Sequence, residues 1–479
     1  MVVMKFGGSS VATAAALGRV LSIVRAERRP RVVVVSAIGG VTDTLLGLAA
    51  RAASRDEAAA LRALQQLRDR HASLAAIVRD DADRQALLAR LDAGWRDVAT
   101  LVGAAALLKA CTPAAIDAIV AHGELASSRL VAAILKDGGQ PAEWVDARRV
   151  VVTDARHQEA SPREDETAER LARSVRPILD RGAIPVLGGF IGATTEGVTS
   201  TLGRGGSDYS ASVVGACLGA AEIQIWTDVD GMLTADPRIF ERARAVHRLS
   251  FGEASALARF GAKVLHPSTV RPAVAAAIPV RILNSHRPAG HGTTVAAGPI
   301  RRTAPAAGIA CLAGLCAFDV ALPDGAGRPA VLAAVYDACA RAEAPVHLTA
   351  VSDASVSIVV EDGAVGDRVA ARLDPEWRVT RRGGLALVAA VGDALASARG
   401  IAWRVLAAFD AVPVHAISRA TGANHLACVV DQSNLAFAVA TLHECLFEGR
   451  ASGEEGDRAS DLVSAPPSAF ADIPQEIRA

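Results

Sequence analysis

The sequence predicts an α/β protein: an open, mostly parallel sheet with helices on both faces, followed by two smaller α+β units. Three observations support this. Short apolar runs alternate with longer helical segments through the first part of the chain, which favours a parallel sheet. The last part contains two similar blocks, each with the pattern β, α, β, β. The length, 479 residues, also exceeds what one hydrophobic core usually accommodates.

These patterns give approximate domain boundaries. We expect a first domain over residues 1–298, with a helical insertion at about 54–135 that is rich in Ala, Leu, Arg and Asp. The βαββ blocks follow at 306–380 and 381–447. Residues 448–479 are polar, charged and Pro-containing, and we expect them to form a disordered tail.

Composition excludes several classes of function. The chain has 51 basic and 51 acidic residues, so it lacks the positive charge of a nucleic-acid-binding or membrane-surface protein. It shows neither a secretory signal nor an apolar span free of charges and breakers, so we expect a cytoplasmic protein with a small-molecule ligand. Seven cysteines without a C-x-x-C pair predict reduced, mostly buried thiols.

The first element combines a strand with a glycine turn. Val2–Phe6 is an apolar run that leads into KFGGSSV, residues 5 to 11, and then into a helical pattern. Backbone N–H groups of Gly7, Gly8 and Ser9 can surround an anion there, with Lys5 supplying positive charge. The lysine precedes the glycines, so this is not a Walker A loop.

Further strands end in polar residues. RVVVVS, residues 31 to 36, is followed by a turn with Ser36 and Thr42, and other strand-like runs lie at 183–187, 223–227 and 280–283. The run at 223–227 ends in Thr227 and Asp228. Since α/β sheets bind ligands at the carboxyl ends of their strands, these residues are candidates for ligand contacts.

The most chemically dense segment is TSTLGRGGSDYSA, residues 199 to 211. Its glycines permit close backbone approach, the following helix offers free N–H groups, and Arg204 and Asp208 flank the turn. The alternative is an ordinary surface turn before a helix capped by Ser207. The residues alone leave both open.

Lysine usage adds a further hint, because arginine is the usual cation of this chain. Of its four lysines, Lys5 and Lys263 lie in glycine-bearing segments, where a compact ammonium suits phosphate oxygens. Glu124 follows Gly123 in a helical segment, and its sequence context favours an ordinary solvated residue. Asp236-Pro237-Arg238 is a predicted turn near the carboxyl ends of the strands.

Six motifs, taken together and in order, resemble those of the aspartate kinases: KFGGSSV, AHGEL (121–125), GGFIG (188–192), TLGRGGSDYSA, IWTDVDG and FGAKVLHP. The resemblance covers residues 2–447. It implies a kinase domain of the amino-acid kinase fold followed by tandem ACT domains, similar to the monofunctional lysine-sensitive class. It also implies a homodimer formed through the ACT domains, or a tetramer.

By this resemblance the reaction is phosphoryl transfer from ATP, with Mg²⁺, to the β-carboxylate of L-aspartate, giving 4-phospho-aspartate for lysine, threonine and methionine synthesis. An ionised carboxylate needs no general base, so the protein has to supply position and charge neutralisation. A glutamate or acetylglutamate kinase and a non-catalytic amino-acid sensor remain alternatives. Neither kinase would need both ACT blocks, and a sensor would not need the charged residues of the loops.

The resemblance also assigns roles to residues. Lys5 neutralises the transferring phosphoryl group, Asp208 holds that lysine, Arg204 pairs with the substrate α-carboxylate and Glu124 with its α-amino group. Further substrate-binding residues are Ser36, Thr42 and Ser207. The nucleotide-binding residues are Gly7, Gly8, Ser9, Thr227, Asp228, Arg238, Lys263 and Val264. No protein metal ligands are assigned.

The regulatory region departs from the lysine-binding relatives. Those proteins present a small Gly-Phe-Leu turn and an aspartate on the next strand, whereas this chain has Arg328-Pro-Ala-Val-Leu332 and Val346-His347-Leu348. The candidate effector residues are His347, Ser352 and Asp353. Because the carboxylate partner of a lysine ammonium is missing, we expect lysine to inhibit weakly or not at all.

Overall fold

The computed structural model describes residues 1–54, 56–262, 267–298, 300–322, 327–419 and 422–448. The strands are β1 Val2–Phe6, β2 Arg31–Val35, β3 Ala142–Val145, β4 Ile184–Gly188, β5 Ile191–Ala193, β6 Thr199–Thr201, β7 Glu222–Thr227, β8 Arg248–Ser250, β9 Val280–Asn284, β10 Thr293–Ala296, β11 Gly308–Ala321, β12 Leu348–Val351, β13 Ser355–Glu361, β14 Val379–Val391, β15 Val414–Ser418 and β16 His425–Asp431. The helices are α1 Ala14–Ala26, α2 Val41–Ala53, α3 Glu57–Ala75, α4 Asp81–Leu108, α5 Pro113–Val120, α6 His122–Asp137, α7 Ala147–Val150, α8 Glu164–Ser174, α9 Arg176–Asp180, α10 Gly206–Leu218, α11 Phe251–Arg259, α12 Arg271–Ala275, α13 Arg328–Arg341, α14 Ala364–Ala370, α15 Ile401–Ala407 and α16 Leu435–His443.

The main sheet confirms the predicted fold class. Within the described residues its strand order is β3-β4-β2-β1-β7-β9-β10-β8, and neighbours from β3 to β9 run parallel. Alternate residues of β1 pack on opposite sides: Val2, Met4 and Phe6 join one hydrophobic cluster and Val3 joins another. Burial on both faces explains why the central strands read as continuous apolar runs.

The helical insertion is narrower than predicted. Only α3 and α4 form an added helical pair, packed against each other and against α2. The segment Pro113–Asp137, which contains α5 and α6, is long and apolar enough to cross a membrane by composition, but 78% of its most apolar window is buried inside the fold. Since α6 packs on β3, β4 and α4, this segment is a core helix of the first domain.

The two C-terminal units share their strands, which the sequence blocks did not predict. One six-stranded antiparallel sheet has the order β12-β13-β11-β14-β16-β15. The long strands β11 and β14 pair along most of their length, with register shifts between Ala313 and Ala317. The second half of β11 packs with α13, whereas its first half packs with α15 and α16.

The predicted boundary at residues 380 and 381 is therefore wrong. Residues 308–313, which precede the first unit in the chain, pair with the part of β14 that belongs to the second unit. Without them this edge of β14 would have no partner strand. Each unit also contains a further helix after its last hairpin, α14 in the first and α16 in the second. The pattern of each unit is thus βαββα. Strand β14 completes the first unit as its fourth strand, and β11 completes the second unit.

Two smaller expectations also needed correction. Three of the seven free cysteines are buried and four are only partly buried, so "mostly buried" overstates their burial. Glu448, placed at the start of the predicted tail, ends a π-helical turn and forms ion pairs with Arg242 and Arg244. The rest of the predicted tail, 449–479, lies outside the described residues.

Candidate active site

A cavity of about 580 Å³ opens at the carboxyl edge of the main sheet, where β1, β2 and β4 end. Parallel strands bring the residues that follow them to this one edge. The cavity is lined by every residue assigned to catalysis or amino-acid binding: Lys5, Ser36, Thr42, Glu124, Arg204, Ser207 and Asp208. The fold thus assembles these residues from four separate segments of the chain.

Lys5 and Asp208 form an ion pair inside this cavity. The lysine Nζ lies 2.7 Å from Oδ1 of the aspartate, and the two side chains are 10% and 19% exposed. Gly7 adjoins the ammonium, since a Cβ at that glycine would lie 3.7 Å from Nζ. Gly8 packs so tightly that a Cβ would lie 2.8 Å from the carbonyl oxygen of Ala37. The ammonium is therefore fixed between the first glycine loop and α10.

The turn before α10 exposes the beginning of a helix to the cavity. Gly203 and Gly205 have φ of 74° and 68°, which favours glycine, and Gly205 is the N-cap. The alternative that Ser207 caps the helix is wrong, because Ser207 lies within the first turn and packs against Gly189. Arg204 is exposed at the cavity wall and makes no ion pair with the described residues.

Glu124 is not the solvated residue that its sequence context favoured. It lies on α6 with 3% exposure, and its Oε1 accepts a hydrogen bond of 3.0 Å from the Ala37 N–H. Its other oxygen has no hydrogen-bond partner among the described residues. Burial raises the pKa of Glu124 to about 8, although the Ala37 N–H and the Lys5 charge act in the opposite direction.

The predicted nucleotide residues gather where β1 and β7 end side by side. The Gly7 N–H donates to the Trp226 carbonyl at 3.0 Å, which joins the glycine loop to the end of β7. Thr227 follows, and its hydroxyl lies 3.2 Å from a carboxylate oxygen of Asp228. Gly8 lines the cavity and Ser9 is exposed beside it. The end of β7 therefore lies directly beside the glycine loop that follows Lys5.

Other nucleotide assignments lie further along the chain. Arg238 is exposed and paired with Asp236 at 2.6 Å, in the turn that the sequence predicted. This pairing raises the pKa of the Arg238 guanidinium. Lys263 and Val264 lie outside the described residues, so their assignment stays a prediction.

The three candidate effector residues lie at opposite ends of β12. His347 directly precedes the strand and is half-buried, which lowers its pKa. Ser352 and Asp353 follow the strand, where Asp353 is fully exposed and pairs with Arg328 at 2.8 Å. A strand advances by about 3.3 Å per residue, so His347 and Asp353 of one chain do not share a pocket.

Sequence reasoning missed several residues of the cavity wall. Asp117, Gln158, Glu159, Phe190 and Thr201 all line it. For Asp117 the available signal was helical spacing: it precedes Glu124 by seven residues in a nearly continuous helix, so both side chains lie on one face. Phe190 stands inside the quoted GGFIG motif and has a left-handed φ of 63°, unusual for an aromatic residue.

Comparison with known proteins agrees with this geometry. Residues 1–284 match the model of the amino acid kinase family. Lysine-sensitive aspartokinase 3 of Escherichia coli is 34% identical over 460 residues, which cover 94% of this chain and 99% of that protein. Aspartokinase 1, chloroplastic, of Arabidopsis thaliana is 31% identical, over 93% of this chain and 80% of that protein.

Solved structures give the same result. E. coli aspartokinase III in complex with aspartate and ADP has a TM-score of 0.78 and 32% identity, over 93% of this chain and all of that one. The same enzyme in complex with lysine and aspartate has a TM-score of 0.80. The chain therefore belongs to the amino acid kinase family and, within it, to the aspartokinases.

Proposed function

We propose that this protein transfers the γ-phosphoryl group of ATP to the β-carboxylate of L-aspartate, giving 4-phospho-L-aspartate in the cytoplasm as the first step of lysine, threonine and methionine synthesis. The observation that carries the proposal is one cavity holding the Lys5–Asp208 pair, the exposed Arg204 and the buried Glu124. The related E. coli enzyme has been crystallised with aspartate and ADP.

The amino-acid substrate has three charged groups, and the cavity offers a partner for each. Arg204 presents a planar guanidinium that suits the α-carboxylate in a two-pronged contact. Glu124 offers a carboxylate for the α-ammonium once it ionises. With both α-groups held, the β-carboxylate is directed towards Lys5 and the first turn of α10, where negative charge is stabilised.

The chemistry needs little beyond position and charge. The attacking carboxylate is already ionised and requires no base, so the main task is to neutralise the phosphoryl group as it moves. Lys5 is suited to this role because Asp208 fixes its ammonium at the junction of the glycine loop and α10. Asp208 is a positioning residue for the lysine.

Mg²⁺ fits this site as a companion of the nucleotide. The described residues include no group of three or more side chains that could form a metal cage. Mg²⁺ commonly binds through substrate phosphates and one or two carboxylates while it keeps several waters. Asp208 at the cavity wall and Asp228 after the end of β7 are two carboxylates that would hold the ion, which would neutralise phosphate charge there.

We further propose a homodimer formed through the C-terminal sheet, with a tetramer as the larger alternative. The edge strands of that sheet, β12 and β15, carry the exposed apolar residues Val351 and Ile417. These two strands also contact each other within the chain, so it is their exposed apolar side chains that favour association with another chain. Sedimentation of the wild type and of a Val351→Lys variant should separate dimer from monomer.

Trapping of the acyl phosphate with hydroxylamine tests the reaction. The purified chain, ATP and Mg²⁺ should give a hydroxamate with aspartate and much less with glutamate or N-acetylglutamate. No aspartyl hydroxamate at high enzyme concentration would refute the proposal. Preferred turnover of glutamate or N-acetylglutamate would favour the other acid kinases, and aspartate binding without turnover would favour the sensor.

A further inference from the structure

Asp117 is a buried carboxylate at the cavity wall to which the proposed reaction gives no role. It lies on α5 with 1% exposure and lines the cavity. Its Oδ1 accepts a hydrogen bond of 2.6 Å from the Thr201 hydroxyl, and its Oδ2 lies 2.8 Å from Nδ1 of His157. Both oxygens also lie within 3.2 Å of the Gln158 backbone nitrogen. A buried charge with this many donors is fixed in position.

These hydrogen bonds join two segments that are far apart in sequence. Gln158 adopts a left-handed φ of 71°, which is unusual for a residue other than glycine, and its N–H points to Asp117. Thr201 ends β6, and its carbonyl accepts a hydrogen bond of 2.9 Å from the N–H of Ala160 in the same loop. Asp117 therefore clamps the 157–160 loop onto the end of β6.

The clamped segments lead directly into the turn that carries Arg204. Thr201 is three residues before that arginine, and a Cβ at Gly203 would lie 3.1 Å from the carbonyl oxygen of Gln158. The loop backbone thus packs against the turn. Any shift of the loop or of β6 would move the Arg204 guanidinium relative to Glu124, which lines the same cavity.

We propose that Asp117 is a positioning residue of the amino-acid subsite, which holds the Arg204 turn at the distance that the substrate's α-groups require. The inference rests on the proposed function, since it assumes that Arg204 binds the α-carboxylate. Both carboxylate oxygens of Asp117 lie within hydrogen-bonding distance of Thr201, His157 or Gln158. In the proposed reaction Asp117 therefore does not contact the reacting atoms. Its loss should therefore affect aspartate binding more than turnover or ATP binding.

The test uses two variants and one matched control. Asp117→Asn keeps the shape and removes the charge, and Thr201→Val removes only the hydroxyl that donates to Asp117. Ser200→Ala is the control: the Ser200 hydroxyl is fully buried and lies 2.6 Å from the hydroxyl of Thr153, so it joins β6 to the same part of the chain, but it does not line the cavity.

Steady-state assays should give aspartate KM, ATP KM and kcat for each variant, with thermal melting to compare stability. Asp117→Asn and Thr201→Val should each raise the aspartate KM roughly tenfold or more, as expected for losing a hydrogen bond to a charged group, with ATP KM within about twofold of wild type. The double variant should raise the aspartate KM by less than the product of the two single effects, because both changes weaken the same hydrogen bond between Thr201 and Asp117. Ser200→Ala should lower the melting temperature and leave the aspartate KM unchanged.

An unchanged aspartate KM in both cavity variants would overturn the inference, and so would an equal rise in Ser200→Ala. If Asp117→Asn does not fold, Thr201→Val still decides the matter. A wild-type chain without aspartyl hydroxamate would instead refute the proposed function and this inference together, so the two failures are distinguishable.

Discussion

Glutamine in place of Glu124 should abolish the pH dependence of aspartate binding. The carboxyl group is 3% exposed, and burial raises its pKa to about 8. At pH 7 a group with that pKa is ionised in roughly one molecule in ten. If only the ionised form pairs with the substrate's α-ammonium, most of the enzyme carries the wrong protonation state at neutral pH.

The size of the effect follows from this pKa. With a pKa of about 8, the binding-competent fraction rises about ninefold from pH 6 to pH 7 and about fivefold from pH 7 to pH 8, so the apparent Kd for aspartate should fall by the same factors and then level off. Binding should also release nearly one proton at pH 7. Lys5 is the charged group that most affects this carboxyl, and its positive charge lowers the pKa rather than raising it.

The same shift predicts a change in folding stability. The pKa of Glu124 rises from 4.5 to about 8 on folding, a difference of 3.5 units that corresponds to about 5 kcal/mol at about 1.4 kcal/mol per unit. Because the folded pKa is the higher one, this stabilisation is complete below pH 4.5 and is lost as the pH rises through about 8. Glu124→Gln should lack this decline.

Calorimetry in two buffers of different ionisation enthalpy measures both the Kd and the proton release. Wild type should show this fall in Kd between pH 6 and pH 8, and Glu124→Gln should bind weakly at every pH without releasing a proton. Glu143→Gln controls for the substitution itself, since Glu143 lies on β3 and is about half exposed. An aspartate Kd in wild type that is flat from pH 6 to pH 8, or wild-type affinity in Glu124→Gln, would refute the reasoning.

Three further predictions concern the charged groups. Lys5→Ala should lower kcat on the order of 10²-fold or more, because its charge matters most during phosphoryl transfer. The control is Lys109→Ala, at an exposed lysine, and an equal loss of kcat there would show that the wrong lysine was chosen. Arg204→Ala should raise the aspartate KM and leave the ATP KM near normal, and the opposite pattern in steady-state assays would contradict its assignment. Lysine should inhibit weakly or not at all, because the half-buried His347 offers its ammonium no carboxylate, and inhibition by sub-millimolar lysine alone would show that another partner exists.

Local patterns predicted the parts of the site that depend on local chemistry. The strands β1, β2, β4, β7 and β9 were found within about two residues, because fully buried strands leave continuous apolar runs. The glycine turns at Gly203 and Gly205 were visible because their left-handed backbone favours glycine. Lys5 was linked to Asp208 by the resemblance of the ordered motifs to those of the aspartate kinases, and the residues alone did not link them.

What the sequence could not predict depends on contacts between distant segments. Asp117 looks like any acidic residue on a helix until Gln158 and Thr201 are placed beside it. Glu124 has the same limitation, since its burial depends on how α6 packs against the end of β2. The exchange of strands between the C-terminal units is hard to predict because β11 is one long, mostly apolar strand. Gly314, with a left-handed φ of 71°, marks the register shift but does not reveal which strands pair.

That continuous strand also defines how the regulatory sheet meets the catalytic domain. The first half of β11 hydrogen-bonds to the catalytic domain, where the Ile309 N–H donates to the Thr234 carbonyl at 2.7 Å. His443 of α16 reaches the Thr234 hydroxyl at 2.9 Å from the same sheet. Thr234 stands four residues before Arg238, in the segment assigned to the nucleotide. Since both contacts are made in this segment, we expect a change in the C-terminal sheet to act on the proposed nucleotide side of the active site.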